Sequence, residues 1–139
     1  MGGYSKRTLT QKLGIKPDVR VTVLGAPPGY LSLLGDLPAG ASLHSRLPQT
    51  SRFIHQFVRT RSELARRIQS LAATLADDGT LWISWPKQSS GVVTDLNENV
   101  IRELGLHHGL VDVKVCAIDE VWSGLKFVRR VVNRARNGK

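Results

Sequence analysis

Phe53-Ile54-His55-Gln56-Phe57-Val58, then Ser62 to Leu75, then Thr80-Leu81-Trp82-Ile83-Ser84-Trp85: these three successive stretches decide the fold. The first and third are short apolar runs of the length of a buried strand. Between them Leu64, Ile68, Leu71, Ala72 and Leu75 recur at helical spacing, which predicts an amphipathic helix capped by Ser62. Asp77-Asp78-Gly79 predicts the turn that ends the helix and opens the next strand. Two buried strands joined through a helix are not a hairpin. The helix carries the chain back, so the strands run parallel.

The same reading extends in both directions. Thr8 to Gly14 predicts a short helix closed by glycine, and Val19, Val21 and Val23 predict a strand. That strand ends in Gly25-Ala26-Pro27-Pro28-Gly29, a loop of strong breakers, and Leu31, Leu33 and Leu34 supply one helical turn after it. Downstream, Leu96, Val100, Ile101 and Leu104 give a second amphipathic helix, for which Asp95 and Glu98 have capping-box-like spacing. Leu110 to Ile118 and Leu125 to Val128 predict two strands joined by the turn Asp119 to Gly124. The expected fold is α/β, a three-layer arrangement with a mostly parallel sheet ending in an antiparallel β-hairpin. Residues 1–128 form this domain, and 129–139 form a basic C-terminal tail.

Ser84 to Leu96 carries the first candidate site. A strand stops at a proline, followed by Lys87, two serines and a glycine before a helix begins. Freed amides at a helix start favour an anion, and Lys87, Ser89, Ser90, Gly91 and Thr94 would strengthen such a cradle. Open α/β sheets also place ligands at the carboxyl ends of their strands. The plainer alternative is a turn whose serines satisfy their own backbone. A second candidate is Asp119, Glu120, Trp122, Ser123 and Lys126, where paired acids beside a lysine could hold a polar ligand; the plainer alternative is a tight turn. Trp82 and Trp85, three apart in a strand, face opposite ways. Trp82 is expected in the core and Trp85 at the strand end, free to stack on a ring. The four histidines are scattered, so no metal site is expected. Cys116, the single cysteine, is expected to be a buried thiol in a strand.

The 139 residues carry a formal charge of +9, which draws a chain toward polyanions. Five basic residues and no acid fall in 129–139, with Arg129, Arg130, Arg134 and Arg136 the candidates for phosphate contacts. A second group, Arg59, Arg61, Arg66 and Arg67, surrounds the start of the central helix. No apolar run reaches the ~18 residues of a membrane helix, and no secretory signal is visible. A cytoplasmic location without a membrane partner is expected.

Asp78-Gly79-Thr80-Leu81-Trp82-Ile83-Ser84-Trp85 after an amphipathic helix, with a closing hairpin after Val111-Asp112-Val113-Lys114-Val115, resembles the late part of Rossmann-like methyltransferases. Lys12-Leu13-Gly14-Ile15-Lys16-Pro17, Trp85-Pro86-Lys87 through Asp95, and Val115 through Phe127 also resemble a family of small bacterial proteins catalogued as a domain of unknown function. The resemblance implies a compact Rossmann-like fold. Working methyltransferases of this type place a glycine-rich turn after the first strand and an acid after the second. Here Pro27 and Pro28 remove backbone donors from the first turn, no acid ends a clear second strand, and residues 30–52 look too short for a full strand-helix-strand passage. These departures argue against S-adenosylmethionine as a cofactor. The leading expectation is therefore a non-enzymatic binder of a small anionic or nucleotide-like ligand at residues 85–95. The alternatives are a nucleic-acid-associated basic protein and a divergent S-adenosylmethionine-dependent methyltransferase.

Overall fold

Thr8 Oγ1 accepts a hydrogen bond from the Gln11 amide, while Gln11 Oε1 accepts one from the Thr8 amide. This reciprocal cap starts helix α1 (Leu9–Leu13), and Gly14 in the left-handed conformation ends it. The computed structural model describes residues 7–130. After α1 come β1 (Arg20–Leu24), the one-turn helix α2 (Tyr30–Leu34), β2 (Ser42–His44) and β3 (Ser51–Phe57). The second half comprises α3 (Arg61–Thr74), β4 (Leu75–Pro86), a short 3-10 turn at Gln88–Ser90, α4 (Glu98–His107), β5 (Leu110–Ala117) and β6 (Trp122–Arg129).

The strands form a six-stranded sheet in the order β2-β1-β3-β4-β6-β5. The first four are parallel neighbours, and β6 enters antiparallel between β4 and β5. The expected mostly parallel sheet with a closing hairpin is what the chain forms. One face packs under α3 and α4, with Ile54, Leu64, Ile68, Leu81, Ile83 and Leu125 fully buried. The other packs under α1 and α2 through Leu13, Val21, Leu34, Phe57 and Trp82. Trp82 and Trp85 do fall on opposite faces, and the Trp82 indole N–H donates to the Leu13 carbonyl at 3.0 Å, pinning α1 to the sheet. Both sheet edges are modest. β2 is three residues long, and β5 loses register against β6 between Asp112 and Lys114.

Several local expectations are corrected by contacts distant in sequence. Helix α3 is capped by Thr60, whose Oγ1 accepts from the Glu63 amide, not by Ser62. Asp77-Asp78-Gly79 lies within β4, which starts directly at Leu75, and Gly79 is buried against Leu75 and the Ser51 carbonyl. The cap of α4 is Asn97, whose Oδ1 accepts from the Val100 amide, so no helix begins in the loop that Lys87 opens. Asp95 instead accepts from the Arg61 amide at 2.7 Å, capping α3 from across the sheet edge. Residues 30–52 do hold a helix and a strand, α2 and β2, in compressed form. Cys116 is only partly buried.

Gly25 leaves β1 with φ 72°, and a Cβ there would stand 2.9 Å from the Phe57 carbonyl oxygen. Gly29 has φ 85° but nothing within 4 Å of such a Cβ. Gly29→Ala is therefore expected to cost about 1–2 kcal/mol for the left-handed backbone alone. Gly25→Ala adds a contact with backbone that cannot move aside, an overpacking cost of about 1–3 kcal/mol more. Urea unfolding of the two variants checks the order; equal losses would show that the Phe57 carbonyl does not constrain the turn.

Candidate functional site

Parallel strands end together, so the loops after β1, β2, β3 and β4 share one edge with the β5–β6 turn. Gly25 makes this edge narrow, because the bare backbone after β1 closes against the end of β3. The turn then opens outward through Ala26, Pro27 and Pro28 before Tyr30 re-enters the core. A cleft of about 570 Å³ results between the ends of β1 and β2, lined by Val23, Ala26, Pro27, Leu31, Leu43, His44 and Ser45 among others. A second groove of about 510 Å³ runs from the same turn to the hairpin and is lined by Pro28, Tyr30, Leu33, Asp119, Val121 and Trp122. Pro27, Gly29, Tyr30 and Ser32 border both, so the two spaces meet over the start of α2.

Beneath this meeting point lies a buried polar line. The Tyr30 hydroxyl stands 2.8 Å from His55 Nδ1, and His55 Nε2 stands 2.7 Å from Ser84 Oγ. The line ties α2, β3 and β4 together. His55 and Ser84 are fully buried. Burial lowers the His55 pKa to about 3, so the ring is neutral and offers one donor and one acceptor, which the two hydroxyls satisfy. Burial likewise pushes the Tyr30 hydroxyl up, keeping it protonated. His55 stacks on Phe57 at 4.3 Å, and Phe57 meets Tyr30 and Trp122 edge-on at 5.4 and 5.0 Å. The Arg59 guanidinium covers Trp122 at 4.9 Å from the ring centre.

The structure brings most of the sequence candidates to this edge but gives several of them other work. Trp85 is packed in the core beside α3 and α4 and is not free to stack on a ring. Lys87 is half-buried, and its amide donates to the Val121 carbonyl at 2.8 Å, joining the two candidate loops. Ser90 Oγ donates to the Lys87 carbonyl and accepts from the Val92 amide, as in the plainer reading of that turn. Ser89 is exposed, and Gly91 closes the 3-10 turn with φ 82°. Thr94 Oγ1 donates to the Arg59 carbonyl and accepts from the Leu96 amide. Asp119 Oδ1 accepts from the Val121 and Trp122 amides, shaping the hairpin turn, and Glu120 is exposed.

Lys126 lies further along β6, opposite Trp82, where burial and then Lys114 and Lys16 lower its pKa. Arg129 and Arg130 sit at the opposite end of the sheet and donate to the Ala72 and Leu106 carbonyls. Arg134 and Arg136 lie outside the described residues. Among the described residues no group of His, Cys, Asp and Glu is placed to hold a metal ion, and no helix is long and apolar enough to cross a membrane.

Sequence reasoning misses Ala26, Leu31, Leu43, His44 and Ser45 as cleft residues. In sequence the two prolines look like a block across the first turn, whereas they only direct it outward. A glycine at the β1 exit and another at the α2 start are the available signal.

No protein-family model and no curated protein matches the chain. Solved structures do. A ribosomal-protein methylase from Lactobacillus delbrueckii subsp. bulgaricus superposes with TM-score 0.57 at 14% identity, over 88% of this chain and 75% of that one. A TehB-like S-adenosylmethionine-dependent methyltransferase from Corynebacterium glutamicum gives 0.55 at 11%, over 88% of each chain. Magnesium protoporphyrin IX methyltransferase from Synechocystis, solved with S-adenosylmethionine bound, gives 0.56 at 11%, over 87% of this chain and 74% of that one. At these identities the likeness establishes a Rossmann-like, methyltransferase-like fold.

It also overturns two expectations. The reading as a non-enzymatic binder gives way, because the folds that match are those of methyltransferases. The case against S-adenosylmethionine gives way with it. That case rests on prolines in the first turn, no acid after a clear second strand and a short 30–52 segment. The chain has a cleft beside those prolines and a second strand at Ser42–His44, which ends in a histidine and not an acid.

His55 gives this edge a defined pH dependence. Its folded pKa, about 3, lies below the ordinary 6.5, so the unfolded chain takes up a proton first as pH falls. The stability is complete above pH 6.5 and is lost below it at up to about 1.4 kcal/mol per pH unit. Urea unfolding at about pH 7 and pH 5 should show the loss in the wild type and a flatter profile in His55→Gln. An equal slope in both would remove His55 as the cause.

Proposed function

We propose that the chain is a divergent S-adenosylmethionine-dependent methyltransferase whose cofactor takes the cleft between β1 and β2. The observation that carries this reading is the position and size of that cleft. It opens at the carboxyl ends of parallel strands, where such sheets bind ligands, and its ~570 Å³ suits a small molecule. The folds of the similar structures, one solved with S-adenosylmethionine bound, support the same assignment.

The lining fits the group in kind. Val23, Leu31 and Leu43 give apolar walls suited to a flat base, while His44 and Ser45 at the end of β2 offer polar groups to a sugar's hydroxyls. His44 stands where the resemblance would put an acid, so recognition there uses a ring nitrogen; Nε2 lies 2.8 Å from Ser42 Oγ. When bound, the cofactor supplies an electrophilic methyl group on a cationic sulfur. The chain's part is placement. The Tyr30–His55–Ser84 line fixes the turn beneath the junction, and the two prolines stiffen it. The acceptor lies in the second groove, against Trp122 and Asp119. Asp119 Oδ1 is engaged by two amides, which leaves Oδ2 to receive a proton from the acceptor.

Thermal unfolding with S-adenosylmethionine or its demethylated product tests the assignment. At a hundred times its dissociation constant either should stabilise the fold by about 2.7 kcal/mol. Ala26→Trp, which sets a large ring in the cleft, should abolish that gain, and Lys87→Ala should leave it intact. No stabilisation by either compound, or a gain lost in Lys87→Ala and kept in Ala26→Trp, would refute the site.

A further inference from the structure

We propose that the α3 face beside the cleft is a docking track for single-stranded nucleic acid. This deepens the methyltransferase reading by naming the class of the acceptor, and to that extent it rests on it. Arg46, Arg59, Arg61, Arg66 and Arg67 are all exposed. Among the described residues none of the five is paired with a carboxylate. Two acids at the start of α3 each bind a backbone amide through one oxygen. Glu63 Oε1 accepts from the Arg59 amide at 3.0 Å, and Asp95 Oδ1 accepts from the Arg61 amide at 2.7 Å. Five guanidinium groups against these two carboxylates leave a net positive surface, and such a surface attracts a polyanion.

The arginines also have a shape beneath them. Arg66, Arg67 and Ser70 line a groove of about 260 Å³ together with Leu24, Leu47 and Leu71. Two guanidinium groups and a hydroxyl beside apolar side chains match a phosphate with its attached sugar, since guanidinium binds phosphate through paired donors. Leu47 lines the groove and Ser45 lines the cleft, so exposed Arg46 stands between the two. At the other end of the edge, the Arg59 guanidinium lies over the Trp122 ring, 4.9 Å from its centre. Trp122 is buried, so its ring is closed to a base, whereas Arg59 is exposed. Bases of unpaired strands stack on guanidinium planes, which selects a single strand over a duplex. Charge complementarity, a recessed groove and an exposed guanidinium together specify this occupant.

Fluorescence anisotropy of one labelled sequence, as single-stranded RNA, single-stranded DNA and duplex, tests the proposal on the full chain without cofactor. Arg66→Gln with Arg67→Gln should weaken single-strand binding roughly tenfold and flatten the log–log salt slope by about 1.4, which is 0.7 for each phosphate no longer neutralised. Lys16→Gln with Arg20→Gln removes the same charge at the opposite end of the sheet, where both line a separate pocket, and should change affinity less than about twofold. Arg59→Gln should weaken single strands more than duplex. A preference for RNA or for DNA identifies the source of the strand, and either supports the track. Equal losses in the two double variants, or binding only to anionic phosphatidylserine vesicles, would overturn it. Stabilisation by S-adenosylmethionine should be unchanged in Arg66→Gln with Arg67→Gln. Docking without any cofactor effect would sink the methyltransferase reading alone, and a cofactor effect without docking would sink the track alone.

Discussion

The burial of β3 is the constraint on which the rest of this structure depends. From Phe53 to Val58 both faces of the strand are covered, yet the run includes His55 and Gln56. A polar group shut away from water must find a partner inside the protein. His55 reaches one hydroxyl on each side, and Gln56 Nε2 donates to the Phe57 carbonyl, while Gln56 Oε1 is buried without a partner among the described residues. Tyr30 must therefore stand at the start of α2 and Ser84 near the end of β4, and the turn between β1 and α2 must bring Tyr30 back to that place. The position of the cleft follows from where His55 finds its partners.

This explains how a compressed crossover keeps a ligand-sized space. The helix after β1 has a single turn, too little to bury a broad apolar face. Its contribution comes instead from Tyr30, which packs against His55 and Phe57 while its hydroxyl closes the polar line. Gly25 allows the departure from β1 beside the Phe57 carbonyl, and Pro27 and Pro28 stiffen the loop where it borders the grooves. From the other side Asp119 shapes the hairpin turn through two amides, and the Lys87 amide locks that turn to the end of β4. Short elements can border a cleft when each is fixed by one specific contact rather than by a large interface.

Much of the architecture is legible in the sequence because it rests on local patterns. The apolar runs at Phe53–Val58 and Leu81–Trp85, the helical spacing from Leu64 to Leu75, and the opposed faces of Trp82 and Trp85 are consequences of strand and helix geometry. What escapes depends on partners far along the chain. Asp95 looks like a cap for the helix that follows it, but it caps one that begins more than thirty residues earlier. Asp77-Asp78-Gly79 looks like a turn, but it lies within β4 as an irregularity, between the Leu75 and Thr80 pairings with β3. Ser42-Leu43-His44 is too short and too exposed to show as a strand, and with it the wall of the cleft is invisible. The loop at 87–95 and the turn at 119–121 stand at the same end of the fold as the cleft, since both follow the ends of strands. The cleft itself lies at the far side of that edge, between β1 and β2.

The two ends of the sheet bear on how the protein behaves in a crowded solution. An exposed strand edge is a row of unpaired amides and carbonyls on which another chain can continue the sheet. On one side that row is three residues long, and on the other it is broken where β5 slips against β6, with Lys114 set at the break. Val113 and Val115 are half exposed along the same strand, a combination that would otherwise invite stacking of copies. The irregular pairing spoils the flat template such stacking requires. A flaw in the hydrogen-bond ladder thereby acts as a guard against fibre growth.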